Sequence, residues 1–400
     1  MASAGKILII VENLPVPFDR RVWQEANSLK NEGYEISVIC PKGKGYEKKF
    51  EIIDDIYIYR HSLPFEAKRA LGYFLEYTCA LFWEFVLSLK VYFERGFDVI
   101  HACNPPDLIF LIALFYKILL KKKFIFDHHD LNPELWLAKG GKKDIFYKLL
   151  LLVEKFTFMT ADISIATNES YKDIAVLRGG MKEEDVFIVR SSPIISKFES
   201  LIPESPDESI KNGKEYMVGY VGVMGKQDGV DYLLRAIDFI VNRRKRENVF
   251  FVIIGNGPEW NYSVNLSKEL RIDNFVFFTG RIPDKEMIEY LYACDICVNP
   301  DVVNDFNDKS TMNKIIEYMI LGKPIVQFNM REGRYSADAA SLYAKANDEI
   351  DFAKKILILL DNEPLGKSMG EIGKKRVKDK FSWKNSEKVL LKAYNYSFNS

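Results

Sequence analysis

Residues 307–327 read NDKSTMNKIIEYMILGKPIVQ, and the fold turns on this stretch. A polar loop passes into an amphipathic helix, a glycine turn and a β-strand. Ser310 and Thr311 are placed to cap the helix start, and Ile315, Ile316, Met319 and Ile320 form a stripe to bury at helical spacing. Gly322 should end the helix at C′, Lys323-Pro324 should break it, and Ile325-Val326 should open the strand. That order sets free backbone N–H groups and a positive dipole end beside a basic loop, a natural seat for a phosphate. Ser310, Thr311, Met312, Asn313 and Lys314 are the candidates at that end. Glu317 lies inside the helix, where its carboxylate could receive two vicinal hydroxyls. A phosphate seat followed by a diol acceptor suits the pyrophosphate and ribose of a nucleotide sugar.

Outward from this stretch, strands and helices alternate through the whole chain. Strands are expected at Lys6–Val11, Ile36–Cys40, Ile56–Arg60, Asp98–Ala102, Phe124–Asp127, Ile163–Ala166 and Val186–Val189. Helices fall between them, including Arg20–Glu32, a long Gly72–Glu94, Leu108–Leu120 and Asp144–Met159. Residues 197–214 are rich in Pro, Ser and charge and read as a linker. The alternation then restarts, with strands at Tyr216–Val221, Val249–Ile254, Val276–Thr279 and Ile296–Asn299. Two α/β domains follow, residues 1–200 and 215–382, each with a parallel, doubly wound sheet. The amphipathic tail, about 383–400, is expected to pack back on the first domain. Such sheets bind ligands at the carboxyl ends of their strands, so the two domains should face each other across a cleft.

Composition removes other classes. The 400 residues carry 56 basic and 56 acidic side chains, so no bulk charge draws the chain to nucleic acid. The five cysteines are odd in number and sit in apolar runs, which reads as buried thiols in a reducing cytosol. Cys294 and Cys297 have CxxC spacing but lack a second ligand pair, so no metal is expected there. The start, MASAGKILIIVENLP, lacks the apolar core of a signal peptide, and Leu71–Tyr92 is broken by Glu76, Glu84 and Lys90. The helix over Leu71–Arg95 combines Tyr73, Phe74, Tyr77, Trp83 and other aromatics, and Lys117, Lys121, Lys122 and Lys123 add a basic cluster. That pairing suits either a packed core or peripheral contact with a membrane interface.

Several strand ends carry residues that packing explains poorly. Gly222, Gly225 and Gly229 form a turn between strand and helix that could admit an anion, with Lys226 among them. Gly255-Asn256-Gly257-Pro258 and Gly280-Arg281-Ile282-Pro283 follow two more strands. In the first half His129-Asp130 follows FIFDH, and Asp19 looks like an N-cap ahead of Arg20-Arg21, either of which could bind an anionic acceptor or donor phosphate. His129 is preferred to His128, which points elsewhere along an extended chain.

In order and spacing, LPVPFDRRVWQEANSLKNEGYEISVIC, FIFDHHDLNPELW, YVGVMGKQDGVDYLL, VIIGNGPE, VFFTGRIP and STMNKIIEYMILGKPIV resemble the retaining GT-B glycosyltransferases of the family-4 type, over nearly the whole chain. The resemblance implies a hexosyltransferase that retains anomeric configuration and needs neither metal nor cofactor. Its donor would be a nucleotide-diphosphate sugar, with a UDP-sugar expected. The resemblance places His129 near the donor sugar and the acceptor, Glu317 on the ribose, and Arg281-Ile282 by the base. It places Gly255, Asn256 and Gly257 near the donor phosphates or base. Asp127, Asp130 and Glu134 are the nearby carboxylates, any of which is a candidate to orient acceptor hydroxyls. The chain departs from the family at three positions. Val223 and Asp228 stand where an Arg and a Lys grip the diphosphate, and Lys309 stands where a first glutamate meets the donor sugar. Lys226 and Lys314 are expected to supply the missing charge, and Asp308 or the backbone at Ser310–Met312 the missing contact.

The function so implied is transfer to a saccharide or lipid-linked saccharide acceptor in polysaccharide or glycolipid biosynthesis, in the cytoplasm or at the inner face of the membrane. A GT-B nucleotide-sugar epimerase and a non-catalytic GT-B partner subunit are the alternatives. A NAD-dependent oxidoreductase fits less well, because VGVMGKQDG is not a GxGxxG fingerprint.

Overall fold

The structure is a computed structural model that describes residues 4–62 and 70–399, with the side chains of 70–77, 197 and 399 outside the description. The chain divides into two compact units. One comprises Met1–Leu137, Gly141–Arg190 and Ser386–Ser400, the other Ala138–Gly140 and Ser191–Asn385.

The first unit is built on an eight-stranded sheet. Its strands are β1 (Lys6–Val11), β2 (Glu35–Pro41), β3 (Phe50–Ile53), β4 (Ile56–His61), β5 (Val99–Cys103), β6 (Lys123–His128), β7 (Ile163–Ala166) and β8 (Val186–Ile188). Their order is β3-β4-β2-β1-β5-β6-β7-β8. All pairs are parallel except the β3–β4 hairpin, whose turn residues Asp54 and Asp55 both take positive φ, 48° and 59°. Strand β3 escapes a reading of apolar runs because it is a partly exposed edge strand. The winding reverses between β1 and β5, the position where doubly wound sheets hold ligands.

The second unit repeats the plan with β9 (Tyr216–Val221), β10 (Val249–Ile254), β11 (Val276–Gly280), β12 (Ile296–Asn299), β13 (Ile325–Phe328) and β14 (Ser341–Ala344). The order is β11-β10-β9-β12-β13-β14, every pair is parallel, and the reversal falls between β9 and β12. Strand β10, VFFVII, is buried along its full length, as a strand covered on both faces must be.

The helix in the deciding stretch runs Asn313–Ile320. Ile315, Ile316, Met319 and Ile320 are buried, and Tyr318 joins them. Gly322 (φ 67°) sits at C′: its N–H bonds Met319 O at 3.0 Å, and the N–H of Lys323 bonds Tyr318 O at 3.0 Å. That double closure is a Schellman motif. The helix start differs from the expectation. Met312 is the N-cap and makes no side-chain cap bond, while Ser310 closes a separate short helix, Asp305–Lys309, and donates its hydroxyl to Phe306 O at 2.7 Å. Asn304 caps that short helix by accepting from Phe306 N and Asn307 N, and so draws the chain into a turn ahead of the predicted cap.

The polar segment 197–214 is anchored rather than loose. It holds part of the helix Ile195–Glu199 and the turn Glu208–Lys211; Phe198 is buried in the core of the second unit, and Lys211 pairs with Asp295 at 3.5 Å. The helix Glu363–Lys380 is another difference, since Gly366, Gly370 and Gly373 mask its pattern. A Cβ on Gly370 would stand 2.0 Å from Gly322 O, so glycine there lets the helix lie directly on the Schellman turn. The tail forms the helix Trp383–Asn399. It bonds within the first unit through Ser386 to Arg190 O (2.9 Å), Ser28 to Glu387 (2.6 Å) and Tyr394 to His101 (2.6 Å).

Candidate active site

In the second unit the carboxyl ends of β9, β10, β11 and β12 gather most of the predicted donor residues. The N–H of Gly222 bonds Ile254 O (3.0 Å), that of Met224 bonds Asn256 O (3.2 Å), and that of Gly255 bonds Gly280 O (3.0 Å). The three glycine loops are therefore one stacked layer. Gly255 is essential to it: its φ is +130°, and a Cβ there would stand 1.9 Å from Gly222 O. Asn256 is exposed and accepts from Gly257 N at 2.7 Å. Arg281 is exposed, and Ile282 packs on the core beside the helix Asn313–Ile320.

Lys314, on the first turn of that helix, reaches this layer. Its Nζ lies 2.8 Å from Asp301 Oδ1, 4.8 Å from the Tyr220 ring centre and 3.2 Å from the place a Cβ on Gly222 would take. Asp301 directly follows β12 and Pro300, across the winding reversal from β9. Burial raises its pKa and the Lys314 charge opposes the rise. Its second oxygen, Oδ2, is buried without a hydrogen-bond partner. Asp301 is not among the residues expected from sequence; the signal that could have found it is a carboxylate at a strand end beside the switch point.

The departures from the family pattern acquire physical explanations. Asp228 accepts from Gly225 N at 3.0 Å and so ties the glycine turn to itself. Burial lifts its pKa to about 6, against the pull of Lys314. Val223 is exposed and donates no charge; its carbonyl accepts from the Tyr220 hydroxyl at 2.9 Å. Lys226 is exposed at the start of the same turn. Asp308 is engaged structurally, since its Oδ1 accepts from Arg331 N at 2.8 Å, at the first residue of the helix Arg331–Ala337. Glu317 is half-buried on the helix that carries Lys314, and Thr311, Met312 and Asn313 form its entry.

The first unit presents a buried polar cluster at the ends of β1, β5 and β6. Asp19 caps the helix Arg20–Asn31 as expected, accepting from Val22 N at 3.1 Å. Arg20 is exposed on the first turn, whereas Arg21 turns inward. The Arg21 guanidinium donates to Asp127 Oδ1 (2.8 Å) and Oδ2 (3.2 Å) and to Val189 O (2.8 Å), and lies 3.1 Å from Glu25. These bonds occupy Arg21 fully, so it cannot grip a phosphate or an anionic acceptor, and it serves to hold Asp127. Asp127 in turn contacts His129 Nε2. Arg21 Nε also lies 2.9 Å from that nitrogen, which cannot both donate to Asp127 and accept from Arg21. The carboxylate is the stronger partner, so Nε2 carries a proton directed at Asp127, and Nδ1 is the ring nitrogen left for another contact. Asn104 Oδ1 accepts from the N–H of His129 (2.6 Å) and of Asp130 (3.1 Å), which fixes the loop.

Electrostatically the cluster balances itself. Burial alone would raise the Asp127 pKa, but the charges of Arg21 and His129 hold it well below the usual carboxylate range. Glu25 is pushed up by burial, further by Asp127, and favours its protonated form. Burial lowers His101, which accordingly favours the neutral ring. Polar atoms of His101, Cys103 and Asp127 lie within 4.8 Å of one another, a spacing a cation could use. Arg21 already supplies the positive charge that Asp127 needs, and Tyr394 occupies His101 Nδ1. His128 is enclosed by the rings of Phe126, Phe158 and Tyr171, and burial drops its pKa to about 3. Two of the three suggested acceptor carboxylates are removed: Asp127 is fully buried, and Glu134 is clamped by Arg178 at 2.5 and 3.2 Å. Asp130 is half-buried beside His129.

All five cysteines are free thiols. Among the described residues no helix is long and apolar enough to cross a membrane. Tyr73, Phe74 and Tyr77 of the aromatic stripe lie outside the described side chains.

Residues 19–191 match the family described as Glycosyltransferase Family 4, and residues 215–362 match Glycosyl transferases group 1. The capsular polysaccharide biosynthesis glycosyltransferase CapM of Staphylococcus aureus is 24% identical over 384 residues, covering 92% of this chain and 91% of that protein. Sucrose-phosphate synthase from Thermosynechococcus elongatus superposes with a TM-score of 0.80 at 16% identity, covering 99% of both chains. Anabaena HepE in complex with UDP gives a TM-score of 0.72 at 14% identity, over 98% of this chain and 100% of that one. With both sheets wound as described and both halves matched, the chain belongs to the GT-B glycosyltransferases of the family-4 type.

Proposed function

We propose that the protein is a retaining, metal-independent glycosyltransferase that moves a sugar from a UDP-sugar to a hydroxyl of a saccharide or lipid-linked saccharide. Its place would be polysaccharide or glycolipid biosynthesis, in the cytoplasm at the inner face of the membrane. The observation that carries this reading is the layer at the switch point of the second sheet. There the Gly222, Gly255 and Gly280 loops meet Lys314, at the amide-bearing start of the helix that holds Glu317. The UDP in the HepE structure supports the nucleotide, and the likeness to CapM supports the pathway class.

The chemistry follows from charge. As the bond from the anomeric carbon to the β-phosphate oxygen breaks, its electron pair stays on the diphosphate. Amides at the helix start, with Lys314 and Lys226, stabilise that charge. The acceptor oxygen bonds the anomeric carbon on the same face and passes its proton to the departing phosphate, so configuration is kept. Glu317 accepts the ribose hydroxyls. His129, fixed by Asp127, offers Nδ1 to a hydroxyl of the reacting sugar.

The test is substitution with a check on folding. Glu317→Ala and His129→Ala should each lower kcat/KM by about a hundredfold or more, with the melting temperature held within a few degrees. Transfer at the wild-type rate from either purified variant sinks the site assignment.

A further inference from the structure

In the first unit the helices Phe110–Leu120 and Ile145–Thr160 lie side by side. Phe110 stacks on Phe156 with ring centres 6.4 Å apart, and Lys117 reaches Thr160 O at 2.6 Å. Their outer surface is apolar. Ile145, Leu149, Leu152, Phe156 and Met159 are all exposed, Ile145 at 86% and Met159 at 63%. Their steps of four, three, four and three draw one stripe about 21 Å long at 1.5 Å per residue. Ile118 and Leu119 on the neighbouring helix are exposed at 68% and 62%. A soluble protein rarely leaves so large an apolar patch uncovered.

The charge around this patch is mostly positive, although Lys117 and Lys122 pair with Asp162 (2.8 Å) and Asp98 (3.7 Å). Residues 110–123 contain four lysines and no acid. Lys142, Lys143 and Lys155 are exposed along or just before the second helix, and Lys148 is exposed on it. The two acids of that segment are turned to other work: Asp144 caps the helix by accepting from Phe146 N and Tyr147 N, and Glu154 is buried under Arg178 at 2.6 Å. An apolar stripe whose rim carries more lysines than carboxylates fits the interface of a bilayer that contains anionic lipid. A second copy of the chain fits worse, since a two-fold contact would set these lysines against themselves.

We propose that this face docks the protein peripherally on an anionic phospholipid surface, with the stripe in the headgroup boundary and the lysines on the phosphates. The docking does not depend on the donor site, so the two can fail separately. Co-sedimentation with vesicles of mixed phosphatidylglycerol and phosphatidylcholine tests it, with pure phosphatidylcholine as the control. Wild type should partition onto the mixed vesicles about tenfold or more better than onto the neutral ones. The variant Ile145→Ser/Leu149→Ser/Met159→Ser should lose mixed-vesicle binding about tenfold or more, and Lys148→Glu/Lys155→Glu should lose it by a similar factor. All three substituted apolar side chains are exposed, so melting temperature and UDP affinity should stay at the wild-type values, which separates lost docking from lost folding. Equal sedimentation with both vesicle types, or full binding by the serine variant, overturns the proposal. So does a wild-type dimer in light scattering that the serine variant abolishes while neither protein binds vesicles.

Discussion

In the first unit Arg21 and Asp127 pair inside the protein beside buried Glu25 and His101, and the product of that arrangement is one oriented histidine. The strand ends of the second unit carry glycine, backbone amides and the Lys314–Asp301 pair, with Asp228 nearby. The contrast teaches how two sheets of one winding serve different chemistry. A cluster that balances its own charge needs no ligand and acts as a scaffold. A layer of glycine turns beside Lys314 suits the proposed group, which brings its own negative charge. Removing one charge should thus cost the first unit stability, and adding bulk or charge should cost the second unit affinity for the proposed donor.

The largest effect should come from Arg21→Met. It leaves Asp127 buried without its guanidinium, and breaking a buried pair this way costs about 3–5 kcal/mol. Urea unfolding at neutral pH measures it. The pH dependence has a definite sign. The folded pKa of Asp127 is depressed, so its pairing contributes above the unfolded value and is lost as pH falls through the folded one. The gap between wild type and variant should therefore be full at neutral pH and close in strong acid. A loss below about 1 kcal/mol at neutral pH would mean that Arg21 is not the anchor.

Gly255→Ala sharpens the other side. Its Cβ would meet Gly222 O at 1.9 Å, with φ at +130°, and backbone cannot yield as a side-chain tip can. Strain and overpacking together should cost about 2–4 kcal/mol. UDP affinity should fall as well, because the Gly222 loop must move. Full UDP affinity in a destabilised variant would show that this layer does not form the donor seat.

The fold is legible in the sequence where apolar runs are long. All six strands of the second unit except β14 lie where their runs predict, and the turn at Gly322 closes as its residues imply. The helix Glu363–Lys380 stayed hidden because its glycines serve packing and break the apolar period. The site was legible residue by residue but not in its pairings. His129 over His128 follows from strand alternation, and the burial of His128 among three rings agrees. Arg21 looked like an anion binder because no local pattern announces Asp127, 106 residues away. Asp308 looked like a substitute for a sugar-binding glutamate, and its bond to Arg331 N spans 23 residues. Pairings of that range are set by topology, which spacing along the chain does not encode.

The smallest effect should come from Asp228→Asn, and it addresses the least expected charge in the second unit. Burial raises this carboxyl to about 6, Asp301 adds to the rise, and Lys314 opposes it. A raised carboxyl contributes stability in its protonated form below the unfolded value, and that contribution is lost as pH rises through about 6. The asparagine keeps an oxygen for Gly225 N and never ionises. It should match wild type near pH 3, below the unfolded carboxyl value, fall out of step as pH rises toward about 6, and exceed wild type by about 1–2 kcal/mol at pH 8, a figure reduced for the partial exposure of the site. The same charge repels a diphosphate in the proposed seat. UDP should therefore bind the variant about three- to tenfold more tightly than wild type at pH 8 and equally at pH 5, read by calorimetry at both values. An affinity ratio that does not change with pH would place the diphosphate away from the Gly225 turn, and Lys226 with it.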